Sequence, residues 1–249
     1  MIQPSEDSGF INLVYSTEPT NKDTNEKKLF DFAFKRIRDS CKIICLMNPL
    51  ISSNLSDHMI RYGFQVFDRA KLSIDRKTIE NLDEPEFPRE YDFVGWSSDI
   101  HHSLVELIAN FHLNGDIHID GKVFPHWCGF DGSDKLLVRI ENNVYGRFDA
   151  NHARILRYNG KSIGTCIITV LPSNIGYIPE IVVSQHYQRK GLGAKLLIHS
   201  LKHFIEDESD IASVELDVTL SNSKAKNLYT SLGFKPLNKY SWYVWTDQR

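Results

Sequence analysis

Hydrophobic and polar positions change period several times along the chain. In residues 29–40, LFDFAFKRIRDS, the apolar Leu29, Phe32, Phe34 and Ile37 fall near helical spacing. KIICLM, at 42–47, is a short continuous apolar run and predicts a buried strand. Residues 55–70 contain a helix that stops at Gly63, and FQVFDRAKLSI after it alternates loosely, as a strand does. Residues 1–28 are polar and patternless, with Glu18 to Asp23 reading as a loop. NLDEPEFPRE, at 81–90, holds two prolines and four acidic residues and is the best linker in the chain. A boundary placed there divides the chain into residues 1–87 and 88–249. Tyr91 to Trp96 then predicts a strand. His101 to His112 carries a helical stripe of Leu104, Leu107, Ile108 and Phe111.

The pattern sharpens after residue 152. Asn159-Gly160 lies between two apolar-rich runs, and both residue types tolerate the positive φ of a type I′ hairpin. A turn at Pro172-Ser173-Asn174 leads into GYIPEIVVS, a strand rich in β-branched residues at Ile181, Val182 and Val183. Gln188 to Ala194 runs straight into a helix whose face is Leu192, Leu196, Leu197, Leu201, Phe204 and Ile205. EDESD ends that helix. Val214, Leu216 and Val218 alternate with Glu215 and Asp217, so 213–219 is a strand. Ser221 or Asn222 caps a helix with the face Ala225, Leu228, Tyr229 and Leu232, and Gly233 closes it. Tyr240 to Trp245 is the last strand. Arg61-Tyr62-Gly63-Phe64 has an echo at Leu232-Gly233-Phe234, each a helix end followed by Gly-Phe and a strand. The N-terminal region therefore reads as a reduced half-copy of the C-terminal fold.

Composition narrows the class. At roughly 100–200 residues per domain, 249 residues make one large domain or two small ones. Twenty-nine Lys+Arg against 32 Asp+Glu give −3, so the basic footprint of a nucleic-acid binder is missing. An acidic surface suits a cationic amine. The longest apolar run, Cys166 to Leu171, is far short of a bilayer span, and the polar, acidic N-terminus lacks the regions of a signal peptide. The expected compartment is the cytoplasm, with no membrane partner, as a monomer or homodimer. Cys41, Cys45, Cys128 and Cys166 make no disulfide framework, and Cys41 and Cys45, four apart in the apolar DSCKIICLM, read as core thiols.

The candidate chemistry lies in the glycine loop between a strand and a helix. A helix N-terminus offers unpaired amides and partial positive charge. Gly191 and Gly193 clear side chains from the backbone, and Arg189 and Lys190 add charge, so 188–194 reads as a phosphate or pyrophosphate cradle. The loop lacks the Lys-Ser or Lys-Thr end of a Walker loop and the third glycine of the dinucleotide fingerprint.

Residues 152–245 resemble the GNAT superfamily of acyl-CoA N-acyltransferases. The family loop Gln/Arg-x-x-Gly-x-Gly/Ala is met by Gln188, Gly191 and Gly193, after the strand IVV and the spacer SQHY. Asn222 and Tyr229, seven residues apart and followed by SLGF, match the family's second pattern. The resemblance implies an α+β fold with a mixed sheet, completed by residues 91–151, and acetyl-CoA as co-substrate in a cleft between splayed parallel strands. It implies that the backbone of Ile181, Val182 and Val183 pairs with the pantetheine. The amides of Arg189, Lys190, Gly191, Leu192, Gly193 and Ala194 hold the pyrophosphate, and Asn222 lies beside the pantetheine. Tyr229 matches the general acid that protonates the CoA thiolate. Glu180 and Asp217 are the two candidates for the general base, with Glu180 slightly preferred, and an amide near Val182 or Val183 would hold the oxyanion.

Plainer roles compete with these. Tyr229 shares its stripe with Ala225 and Leu228, and a packed aromatic is its competing, lesser reading. Glu180 and Asp217 read also as polar-face strand residues. His101, His102, His112, His118 and His126, with Cys128, raise a metal site, but this group has no His-x-x-x-His or Cys-x-x-Cys pair. No metal is expected, and Trp127 and Phe130 place the segment on the acceptor side. The expected activity is acetyl transfer to a primary amine of a small molecule or peptide. A catalytically weak acyl-CoA-binding regulatory module and transfer of a longer acyl group are the alternatives.

Overall fold

The computed structural model describes residues 8–11, 19–47, 53–114 and 119–247. His118 and Glu18 lie outside them. Nine strands form one mixed sheet: β1 (Ser8–Ile11), β2 (Ile43–Met47), β3 (Gln65–Asp75), β4 (Tyr91–Val94), β5 (Ala153–Tyr158), β6 (Lys161–Leu171), β7 (Ile175–Val183), β8 (Ser213–Thr219) and β9 (Lys235–Thr246). Their order across the sheet is β1-β2-β9-β3-β8-β7-β6-β5-β4. The fold is the α+β arrangement expected. The eight α-helices among the described residues are α1 (Lys22–Ile37), α2 (Ser53–Arg61), α3 (Arg76–Glu80), α4 (Ser98–Asn114), α5 (Asp120–Val123), α6 (Gly129–Glu141), α7 (Leu192–Asp207) and α8 (Ser223–Ser231).

Local chemistry sets the main turns. Asn159 and Gly160 take φ of 49° and 78°, as the β5–β6 hairpin requires. The Asn222 side chain accepts from the Ala225 amide at 3.1 Å and caps α8. Gly63 and Gly233 both sit at positive φ, 90° and 97°. The amide of the following Phe then reaches back to a helix carbonyl, Phe64 to Met59 at 3.2 Å and Phe234 to Tyr229 at 3.1 Å.

Three apolar clusters fix the layers. One joins α3, α7 and α8 to β3, β6, β7 and β8, with Ile74, Leu196, Leu201, Phe204 and Val214 in it. The second joins α1 and α2 to β2 and β9 around Phe30, Phe34, Ile44, Met59 and Tyr243. The third packs α4 and α6 on β5, β6 and β7 through Leu104, Ile108, Leu137, Ile155 and Ile167.

Several expectations change. Helix α1 opens at Lys22, inside the stretch read as loop, after a 3₁₀ turn at Pro19–Asn21. Its buried face is Glu26, Phe30, Phe34 and Ile37, while Leu29 and Phe32 point outward. The period of four from Glu26 to Phe34 is the buried stripe; of the expected positions, Phe34 and Ile37 belong to it and Leu29 and Phe32 do not. The helix read within 55–70 ends at Arg61, and β9 starts five residues before Tyr240. β1, α3 and α6 were not foreseen.

The segment 81–90 is irregular apart from turns at its ends. The chain regions on its two sides nonetheless share the sheet, because β3 lies between β8 and β9. The order β1–α1–β2–α2–β3 matches β7–α7–β8–α8–β9. β1 pairs parallel to β2 as β7 does to β8. The last strand of each run crosses over, β9 onto β2 and β3 onto β8, both antiparallel.

A shared sheet makes a testable statement about cooperativity. Ile74 is fully buried in the β3 strand. Ile74→Ala should cost about 2–5 kcal/mol and shift a single unfolding transition followed by tryptophan fluorescence and far-ultraviolet circular dichroism. Two separable transitions would show that the regions fold independently.

Candidate active site

Parallel β7 and β8 pair only at Gly176 with Val214 and Tyr177 with Glu215. Beyond those pairs the strands part. The cause is visible one strand over. Ile167 of β6 faces Glu180 and Thr169 faces Tyr177, so two residues, Ile178 and Pro179, stand opposite one. A bulge of this kind bends its strand and raises its twist, and Pro179 has no amide to give to a neighbouring strand. The β8-facing edge of residues 178–183 is left without a strand partner among the described residues.

The opening is a cleft of about 430 Å³. Glu180 and Ile181 line it from β7, Asp217, Val218 and Thr219 from β8, and Asn222, Ala225 and Tyr229 from the start and body of α8. Glu180, Asp217, Ile181, Asn222 and Tyr229 are thus brought together as expected from the sequence. Val182 and Val183 point their side chains into the cores, so only their backbone is available to the cleft.

The glycine loop follows at the C-terminal end of β7. The Gln188 side-chain amide donates to the Val183 carbonyl at 3.0 Å and ties the loop to the strand. Arg189 and Gly191 take positive φ, 61° and 76°. Gly191 is the N-cap of α7 with no side-chain cap, so the first-turn amides of Leu192, Gly193 and Ala194 project from an uncapped helix end. A Cβ on Gly191 would meet no atom within 4 Å, so the loop is open on that side. One on Gly193 would lie 3.6 Å from Leu228, which brings the loop beside α8.

The two carboxylates differ. Asp217 accepts from the Tyr177 hydroxyl and from the Tyr240 hydroxyl, each at 3.0 Å. Burial holds both phenols above their ordinary range and the Asp217 charge adds to it, against Arg69. Both are therefore protonated donors at neutral pH. Glu180 has the His112 Nε2 at 3.9 Å, with both side chains about nine-tenths buried.

The far end of the cleft uses residues outside the motifs. Phe10 of β1, Met47 of β2 and Arg69 of β3 come from the N-terminal region; Tyr240 and Trp242 come from β9. Phe124, His126 and Trp127 form the opposite wall. Phe130 is instead an exposed residue against His102. Trp242 pins the wall by donating from Nε1 to the Val123 carbonyl at 2.9 Å. Arg69 could be found from the sequence only as a basic residue inside an alternating strand, a signal shared by any polar strand face.

The histidines go separate ways. His101 meets Asp134 at 2.9 Å and His102 meets Glu106 at 3.5 Å, whereas His112 and His126 enter the cleft. Cys128 faces the carbonyls of Gly121 and Phe124. Among the described residues no three of His, Cys, Asp and Glu gather as a metal site. None of Cys41, Cys45, Cys128 and Cys166 forms a disulfide, and burial pushes the Cys45 and Cys166 thiols up to about 12.

Residues 125–234 match the family model described as Acetyltransferase (GNAT) family. The chain is 35% identical over 145 residues to the [ribosomal protein bS18]-alanine N-acetyltransferase of Escherichia coli, covering 58% of this chain and 85% of that one. It is 42% identical over 60 residues to an N-alpha-acetyltransferase of Sulfurisphaera tokodaii, covering 24% of this chain and 35% of that one. Among solved structures, a GCN5-related N-acetyltransferase from Sphaerobacter thermophilus superposes with a TM-score of 0.69 at 13% identity, over 98% of this chain and 75% of that one. A tandem GNAT protein from the clavulanic acid biosynthesis pathway gives a TM-score of 0.62 at 13% identity, over 96% of this chain and 75% of that one. The likeness in fold therefore extends through the N-terminal region.

His126 gives this wall a pH dependence. Burial, with the Arg139 charge added, lowers its pKa to about 4. The native state then keeps His126 neutral where the unfolded chain, titrating near 6.5, takes a proton. The penalty is absent above that value, grows as pH falls, and is complete below about pH 4, on the order of 3 kcal/mol. Denaturant unfolding from pH 7.5 to 4 should show a shallower loss of stability in His126→Gln than in the parent. An equal slope in both would place the protonation elsewhere.

Proposed function

The chain belongs to the acetyltransferase (GNAT) family and is an N-acetyltransferase by class, and from that premise we propose that it moves an acetyl group from acetyl-CoA to a primary amine by direct attack. The observation that carries this is the parting of β7 from β8, with Glu180, Asp217 and Tyr229 lining one opening. The residues present fit the co-substrate. The uncapped α7 end at Gly191 provides amides for a pyrophosphate, and the unpaired β7 edge offers backbone groups for the amides of a pantetheine arm. When bound, acetyl-CoA supplies a thioester carbonyl as electrophile.

The protein groups divide the proton work. Glu180 takes the proton that the acceptor ammonium must lose before its amine can attack, because Asp217 already has an oxygen committed to each of two tyrosine hydroxyls. Asp217 is then a positioning residue that fixes Tyr177 and Tyr240 on the cleft floor. Tyr229 donates a proton to the departing thiolate. The backbone near Val182 or Val183 holds the oxyanion. Residues 1–87 are a reduced copy of the C-terminal region, as supported by the matching element order and the two crossed strands. Their contribution is the acceptor end of the cleft.

Steady-state kinetics with an amine panel separates these roles. Glu180→Gln should lower kcat by about 10²–10⁴-fold with acetyl-CoA affinity retained. Tyr229→Phe should lower kcat in the same direction with binding retained. Asp217→Asn should act mainly through the acceptor KM. A kcat unaffected by Glu180→Gln but abolished by Asp217→Asn would exchange the two assignments.

A further inference from the structure

Arg69 is the most conspicuous unused group in the cleft. It is only 6% exposed and lines the opening. One guanidinium nitrogen, Nη2, donates to the Asp217 carbonyl at 3.2 Å. Nε and Nη1 are buried and have no hydrogen-bond partner among the described residues. Its guanidinium carbon lies over the Phe124 ring of the cleft wall, 4.5 Å from the ring centre. Across that wall Arg139, also lining the cleft, lies 5.5 Å from the Trp127 ring and has its own Nε buried without a partner. A buried donor left unmade is expensive, and a guanidinium has donors only. These nitrogens call for an acceptor, and the strongest match is an anionic oxygen.

The charges decide which anion. Apart from the imidazoles of His112 and His126, the cleft has two guanidinium groups, Arg69 and Arg139, and two carboxylates, Glu180 and Asp217, which formally cancel. A zwitterion with one ammonium and one carboxylate preserves that balance. A cationic amine would leave the arginines unmatched, and a dianion would face Glu180 and Asp217. Phe111, Phe124, Trp127 and Trp242 add aromatic surface, and Met47, Leu136 and Leu216 aliphatic surface, to the lining. We infer that the acceptor is a free amino acid with an apolar or aromatic side chain, whose carboxylate is taken by Arg69 and whose amine is presented to Glu180. This rests on the acetyl-transfer reading above and narrows its substrate. It also changes the expectation drawn from net charge, since the local charges at this end differ from those of the whole surface. A protein N-terminus, whose first residue has no free carboxylate, is disfavoured.

The test is a matched panel assayed for CoA release: L-phenylalanine, L-leucine and L-methionine, their amides, 2-phenylethylamine, phosphoethanolamine, and an Ala-initiated peptide amide. A charge-assisted hydrogen bond of about 1.5–3 kcal/mol predicts a kcat/KM for the acids about 10–150-fold above that for the amides. Arg69→Gln should raise the KM for phenylalanine and collapse the acid-to-amide ratio toward one, with Arg69→Lys recovering part of it. The parent ratio alone decides the case if the variants do not fold. Amides, phosphoethanolamine or the peptide turning over as well as the acids would overturn the inference while leaving acetyl transfer intact. If no amine is turned over, the acetyl-transfer reading fails and binding decides the Arg69 claim. Calorimetry should then show N-acetyl-L-phenylalanine binding in the presence of CoA and its amide not binding; equal binding, or none, overturns it.

Discussion

The parting of β7 and β8 governs the rest of the molecule. Two parallel strands that start as neighbours at Gly176 and Val214 would ordinarily stay hydrogen-bonded to their ends. The two-for-one bulge at Ile178 and Pro179 bends β7 away, and a proline there removes an amide that would have drawn it back. The backbone beyond the bulge is left with polar groups that need a partner. An extended ligand with amides of its own would satisfy them. The same divergence turns Glu180 and Ile181 toward Asp217 and Tyr229 and leads from the cleft to the uncapped start of α7.

Sheet continuity is what closes the other end. With β3 inserted between β8 and β9, Arg69 pairs across with Thr219 on one side and Tyr240 on the other. The three residues share one face of the sheet, as paired positions must. That places an N-terminal arginine next to Asp217 and beneath the Phe124–Trp127 wall. Cys45 and Phe10 touch the same wall through His126, at 3.7 Å to its Nδ1 and 5.3 Å between ring centres. The far end of the cleft and the N-terminal region are therefore one structural unit.

Much of the C-terminal half was legible in the sequence because its signals are local. Asn159-Gly160, the β8 alternation, the Asn222 cap and Gly233 each specify a backbone conformation within a few residues, and each is realised at its own position. The grouping of Glu180, Asp217, Asn222 and Tyr229 followed from family resemblance, and the cleft brings them together. What escaped depends on distant pairing. The β1 strand has four residues and is held by a parallel neighbour more than thirty residues away, which no local pattern announces. Phe32 and Leu29 are apolar but exposed, so counting them shifted the phase of α1. Arg69 gains meaning only when β3 is placed between β8 and β9. Pro179 was the overlooked local clue, since a proline inside a strand belongs at an edge or a bulge.

The central claim is that this cleft and the glycine loop together hold acetyl-CoA. Calorimetric titration of the purified protein with acetyl-CoA, run beside the Gly191→Glu variant, tests it most directly. Glutamate at a φ of 76° strains the loop and puts a negative charge at the α7 N-terminus. The account predicts micromolar binding to the parent with one site per chain, and a large loss of affinity in the variant. Absence of binding to the parent, or equal affinity in both proteins, would contradict it.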